Sequence, residues 1–139
     1  KYYEKWRYQL VDLVESINKQ YPKKPELSLW DFSGYNSVNV DGVPSLEEPN
    51  SSMDWYYDVG HFKKSLGDLI QDRVFGYTDK ERDLPIDFGI QIDSKNIDLY
   101  NTIQRNKQTQ YTIAHQEDIK ELAGRVALIN KKIRQFACG

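Results

Sequence analysis

Apolar residues recur at three- and four-residue steps from the start of the chain. Trp6, Leu10, Leu13, Val14 and Ile17 form one stripe between Tyr2 and Gln20, which is the period of an amphipathic helix. Tyr21-Pro22-Lys23-Lys24-Pro25 ends it, because proline disfavours helix at itself and at the residue before. The run LSLWDF, Leu27 to Phe32, is short, mostly apolar and bounded by turn residues. It suits a buried strand, and a helix followed by such a strand is the αβ half of a parallel-sheet unit. From His61 a second helix is expected, with Phe62, Leu66, Leu69, Ile70 and Val74 on one face and Gly76 as its C-cap.

The second half is patterned differently. DFGIQI, Asp87 to Ile92, reads as a short strand, and Ile97, Tyr100 and Ile103 mark a weakly amphipathic helix running through QRNKQTQ. The last stripe is strong: Ile119, Leu122, Val126, Ile129, Ile133 and Phe136, with acidic residues near its start. Packing of that stripe against the body or a partner chain is its simplest role. Between the two halves of the pattern, Ser33 to Tyr57 is rich in Gly, Asn, Ser and Pro and carries several aromatics. A connection of that length in a compact domain is usually functional or disordered, and the aromatics favour function. No internal repeat is present.

A chain of 139 residues is the length of one domain. No apolar run approaches the roughly 18 residues that span a bilayer, and the opening KYYEKWRYQL is an amphipathic helix rather than a signal peptide. Starting mid-element at a lysine, the chain reads as a piece of a longer protein. The net charge of -2 argues against nucleic acid as a partner, since phosphate binding needs a concentrated basic surface. KKPE at 23–26 and NKKIR at 130–134 read as solvated faces. The single cysteine, Cys138, excludes an internal disulfide framework, has no partner for a metal site, and lies at the wrong distance from the end for prenylation. Asn50-Ser51-Ser52 fits a glycosylation acceptor, a triplet common by chance. Cysteine usage leaves the compartment open. Ten Tyr, three Trp and five Phe favour a substantial core or a stacking surface over disorder.

The candidate chemistry is Asp58-x-x-His61, placed where an aromatic loop turns towards the second helix. A histidine acts as general base when a carboxylate fixes its tautomer and steadies the imidazolium that forms. An aspartate three residues upstream can reach that ring, while a helix N-terminus would oppose the imidazolium. The alternative is structural, with Asp58 as an N-cap and His61 a surface residue. His115, the other histidine, precedes Gln-Glu-Asp and reads as a helix-terminus residue. Neither histidine has a metal-ligand spacing around it, and no cofactor is expected.

Taken together, LWDFSGYN (Leu29 to Asn36) and MDWYYDVGHFKKSLGDLIQDRVFGY (Met53 to Tyr77) resemble the C-terminal part of an SGNH/GDSL-type hydrolase, most closely a bacterial group of poorly characterised SGNH-like proteins. The likeness runs on through DFGIQIDSKNI and the polar helix towards Tyr111. It implies an α/β fold: the C-terminal part of a parallel-sheet SGNH-like sandwich, helix-rich, spanning residues 1–92, with a helical extension at 93–139. It also implies that His61 is the general base and Asp58 its orienting carboxylate. The superfamily's nucleophilic serine and its glycine and asparagine oxyanion residues would lie upstream of Lys1, so this piece alone should be inactive. Ser33 and Ser37 lack a Gly-Asp-Ser-like setting and read as turn residues.

Tyr35, Asn36, Trp55, Tyr56 and Tyr57 flank the pair. Ligands in open α/β sheets bind beyond the carboxyl ends of strands, so Tyr35, Asn36, Trp55 and Tyr57 are candidates for the wall of an acyl or sugar pocket, or equally for core packing. The implied function is that of a serine esterase or acyltransferase, acting on an acyl ester or acylated carbohydrate and completed by the N-terminal part of the same protein. The setting would be a soluble domain, compatible with a membrane-anchored or cell-envelope protein. The rival is a non-catalytic interaction module using the aromatic loop and the C-terminal helix, with that helix forming a homo-oligomer.

Overall fold

The first helix forms over Tyr2–Gln20 (α1) in a computed structural model that describes residues 2–40, 42, 52–58 and 60–137. The remaining elements are β1 (Leu29–Asp31), β2 (Tyr56–Asp58), β3 (His61–Phe62), α2 (Lys64–Phe75), β4 (Ile90–Ile92), α3 (Ile97–Ala114) and α4 (Gln116–Ala137). Asn50, Ser51 and Cys138 lie outside the described residues, as do the middle of the long loop and the side chain of Phe136.

The chain divides into two compact units, residues 1–104 and 105–139. The first therefore runs past the expected boundary at 92/93. The reason is local: α3 opens by burying Ile97, Tyr100 and Asn101, and Gln104 accepts from the Tyr35 N–H at 3.0 Å.

α1 buries only part of the stripe its sequence suggests: Leu10, Val14 and Ile17 are half-buried. Trp6 and Leu13 remain 51% and 54% exposed, while Arg7 and Val11 are buried. The helix is rotated because Arg7 has its partners inside. Its Nε donates to Asp31 Oδ2 at 2.5 Å, Nη1 to Asn101 Oδ1 at 3.2 Å, and Nη2 reaches Ser33 Oγ at 3.4 Å. The guanidinium also lies over the rings of Tyr3 and Tyr100, 4.9 and 5.1 Å from their centroids. Asn18 adds a second tie, pairing through its amide with both the N–H and the carbonyl of Leu27 at 2.9 Å.

β1 is a strand as expected, but its partner is β4 and the pairing is antiparallel, with Leu29 opposite Ile92, Trp30 opposite Gln91 and Asp31 opposite Ile90. This corrects the parallel pairing anticipated from the α1–β1 order. Both two-stranded sheets among the described residues are antiparallel. The small β1–β4 sheet feeds one apolar cluster of Val11, Ile92, Ile97 and Tyr100, with Leu29 and Ile90 against it. A second cluster gathers Val38, Leu66, Leu69 and Phe88, flanked by Phe32, Trp55 and Tyr56.

The second cluster is closed by α2, which supplies polar anchors as well as leucines. Buried Asp72 accepts two bonds from Arg82, at 2.9 and 3.1 Å. Arg73 donates to the carbonyls of Phe88 and Pro85 at 2.9 and 2.5 Å. Gly76 caps α2 with φ 63°, as its position suggested. Gly89 is required where it stands: φ is +72°, and a Cβ there would lie 2.3 Å from the Phe32 ring and 2.8 Å from Arg73 Cγ.

In the second unit the helical backbone passes through His115, whose N–H bonds to the Tyr111 carbonyl at 3.0 Å while its own carbonyl accepts from Ile119 at 3.1 Å. The His115 ring stacks on Tyr111, centroids 4.0 Å apart. It is the junction of α3 and α4. Along α4, Ile119, Leu122, Val126, Ile129 and Ile133 are exposed.

The Arg7–Asp31 pair generates a stability prediction. Burial is the largest influence on Asp31 and would raise its pKa; the Ser33 hydroxyl and N–H and the Arg7 charge together outweigh it and hold the carboxyl below its ordinary value. Denaturant unfolding of Arg7→Met and of Asp31→Asn should each show a loss of about 3–5 kcal/mol, because each leaves a buried partner uncompensated. The double variant Arg7→Met/Asp31→Leu should lose less than either. A folded pKa below the unfolded one, ordinarily about 3.9, gives stability that is present above that value and lost as pH falls through the folded pKa. The gap between wild type and Asp31→Asn should therefore be level down to about pH 4 and shrink below it. Single variants no worse than the double would show that the pair is not a coupled unit.

Candidate active site

Asp58 and His61 sit on facing strands of the β2–β3 hairpin, paired directly, with the register irregular between Tyr56 and Asp58. The hairpin forms because Asp58 organises its own turn. Its Oδ1 accepts from the Gly60 N–H at 2.8 Å and the His61 N–H at 3.0 Å, the local capture by which aspartate favours turns. The same carboxylate meets His61 Nδ1 at 2.8 Å through Oδ1 and 2.7 Å through Oδ2. His61 thus belongs to a strand and does not open the helix. The N-cap position of α2 falls to Lys63, which makes no side-chain cap, so Asp58 is not a helix cap either.

The chemistry of the pair follows from its acceptors. An ionised carboxylate can only accept, so Nδ1 carries the proton. In the neutral ring, Nε2 then holds the lone pair, the tautomer a general base needs. Both side chains are open to solvent, His61 at 78% and Asp58 at 56%. Asp58 lies below the ordinary carboxylate pKa, first because of the Gly60 N–H and then because of the His61 ring.

What holds the hairpin is partly core and partly lysine. Trp55 and Tyr56 pack on the cluster around Leu66 and Leu69. The Lys63 N–H donates to the Trp55 carbonyl at 2.9 Å, and Lys63 Nζ to the Met53 carbonyl. Tyr56 Oη donates to Asn39 Oδ1 at 2.7 Å, while Asn39 Nδ2 donates to the carbonyls of Phe32 at 2.8 Å and Gly34 at 3.2 Å. Asn39 therefore stitches the hairpin to the loop after β1. Pattern reading passed over it; its signal was an asparagine in a glycine- and serine-rich turn, the setting in which amide side chains replace backbone partners.

Of the other expected site residues, Tyr57 adjoins Asp58 in β2, while Asn36 and Trp55 are engaged in turn and core. Asn36 is buried, and its Oδ1 accepts from the Val38 and Asn39 N–H groups at 3.1 and 2.8 Å, so it shapes a turn. Trp55 is core packing. Tyr35 is half-buried. Tyr57 is 72% exposed, with Lys63 Nζ 6.0 Å from its ring centre. Ser33 Oγ donates to Asp31 Oδ1 at 2.5 Å and Ser37 Oγ to Asp87 Oδ1 at 2.6 Å, which commits both hydroxyls to loop structure. Two clefts, of about 450 and 290 Å³, lie along α1 and β1 and are lined by neither Asp58 nor His61. Among the described residues no three His, Cys, Asp or Glu side chains gather as a metal site, and no helix is long and apolar enough to cross a membrane.

No protein-family model, no curated protein and no solved structure matches the chain.

The two donors to Asp58 are separable by experiment. In a carboxyl NMR titration, Asp58 should titrate below an ordinary aspartate. In His61→Ala its midpoint should rise but stay depressed, because the Gly60 N–H still donates. An ordinary midpoint in the wild-type protein would mean that the turn is not formed in solution.

Proposed function

We propose that this chain is the C-terminal part of an SGNH-like serine esterase or acyltransferase and supplies the Asp-His part of its triad. One observation carries the reading: the Asp58 carboxylate engages His61 Nδ1 at 2.7–2.8 Å with the ring open to solvent, so Nε2 is available to a hydroxyl from elsewhere. The order of elements supports it, with a strand, an aromatic loop, Asp-x-x-His and then a helix. In this reading the serine comes from the preceding part of the protein, and the strands of the sandwich extend the small β1–β4 sheet.

The reaction balances without further groups. A serine Oγ attacks the carbonyl carbon of an acyl ester or acylated carbohydrate, and its proton passes to His61 Nε2. Asp58 stabilises the imidazolium, which then returns the proton to the departing alkoxide as the carbon–oxygen bond breaks. Water or an acceptor alcohol attacks the acyl-serine, giving its proton to Nε2, which passes it to serine Oγ as the acyl carbon–oxygen bond breaks and the free serine and neutral His61 are restored.

The test is hydrolysis of a short acyl ester, p-nitrophenyl acetate, by the full-length protein. His61→Ala and Asp58→Ala should each lower kcat by about 10²–10⁴-fold, and the 139-residue chain alone should show no turnover above that of its own His61→Ala variant. Full activity in both full-length variants, or none in the full-length wild type, would overturn the assignment.

A further inference from the structure

A two-stranded hairpin is marginally stable on its own in water, and the β2–β3 hairpin carries the exposed Asp58 and His61. The rung beside the dyad is Tyr56 opposite Phe62, and both of these side chains reach the body. A Cβ at Gly67 of α2 would lie 3.5 Å from the Phe62 ring, so one edge of that ring rests where the helix has no side chain. The Tyr56 ring packs on the cluster around Leu66 and Leu69, and its Oη donates to Asn39 Oδ1 at 2.7 Å.

The two kinds of contact fix position differently. Ring packing is non-directional and tolerates sliding, whereas a hydrogen bond to a fixed acceptor is bounded in distance and angle. Asn39 is such an acceptor. Its backbone N–H donates to Asn36 Oδ1 at 2.8 Å, and its Nδ2 donates to the carbonyls of Phe32 at 2.8 Å and Gly34 at 3.2 Å. Two carbonyls facing Nδ2 set the amide one way round, because a flipped amide would turn its oxygen onto theirs. Those carbonyls belong to the backbone that follows Asp31, which Arg7 and Ser33 hold. The loop after β1 therefore uses the nitrogens of Asn39, and the oxygen is committed to the hairpin, 17 positions away.

We infer that Asn39 is a positioning residue for the Asp58–His61 dyad, acting through Tyr56 Oη to fix the rung beside it. That the ring so held serves a serine rests on the esterase reading above; the positioning itself does not. A slackened hairpin frees the His61 ring from the carboxylate, and the proton of the neutral ring then redistributes from Nδ1 to Nε2.

The tautomer of neutral His61 tests this, read from the imidazole nitrogen NMR shifts of the 139-residue chain. Wild type should hold the proton on Nδ1. Asn39→Ala and Tyr56→Phe should each lower the ratio of the Nδ1–H to the Nε2–H form about fivefold, the factor that one neutral hydrogen bond sets. The double variant should lower it no further than the worse single, because one contact is removed twice. Asn18→Ala, which cuts an amide tie between α1 and Leu27, should lower Tm and leave the ratio unchanged. Tyr56→Phe keeps the ring and every bond made by the Asn39 nitrogens, so it decides alone where Asn39→Ala does not fold. A wild-type ratio in folded Tyr56→Phe overturns the inference, as does an equal change in Asn18→Ala. In the full-length protein, Tyr56→Phe should lower kcat on p-nitrophenyl acetate about tenfold with KM unchanged; undiminished kcat there also overturns it. A shifted ratio beside an inactive full-length wild type leaves the positioning standing and overturns the esterase reading. An unmoved ratio beside an active one does the reverse.

Discussion

The buried contact between Arg7 and Asp31 sets the geometry of the first unit. A guanidinium cannot be left unpaired in an apolar interior, so α1 must present Arg7 to the start of the loop after β1. Asp31, the last residue of β1, is simultaneously tied by Ser33. Arg7 also reaches Asn101 on α3 and is held between the Tyr3 and Tyr100 rings. One side chain therefore orients α1, β1 and α3 together. Such a pair adds little net stability over well-packed apolar residues, but it strongly penalises any arrangement that separates its members. Its contribution is to select one packing.

That constraint also explains what could be read from the sequence. The helices were legible because their ends are marked by local chemistry, proline after α1 and glycine after α2, and because their stripes are periodic. The rotation of α1 was not, since pattern counting places arginine outside and its partner lies 24 positions away. Strand direction was equally hidden. β1 looks the same whether its neighbour is parallel or antiparallel, and only the return of the chain as β4 decides. At the site, the closeness of Asp58 and His61 was legible from a three-residue spacing. The hairpin that carries them was not, because the apolar stripe of α2 appeared to extend back to Phe62, which in fact lies in β3.

The exposure of the Asp58–His61 pair has a chemical consequence. In water a carboxylate steadies an imidazolium weakly, because the high dielectric screens the charges; the same contact strengthens severalfold once water is excluded. Nδ1 and the carboxylate are already within hydrogen-bond distance, so covering the hairpin changes the electrostatics without rearranging the pair. A surface that brought both a serine and a substrate onto His61 would supply that exclusion. An open dyad is compatible with the proposed triad divided between two segments.

The two units place their unspent interactions differently. In the first, ionic groups are turned inward and satisfied: Arg7 on Asp31, Arg82 on Asp72, and Arg73 on backbone carbonyls. In the second, the apolar face is outward and the sequence charge is sorted along the helix.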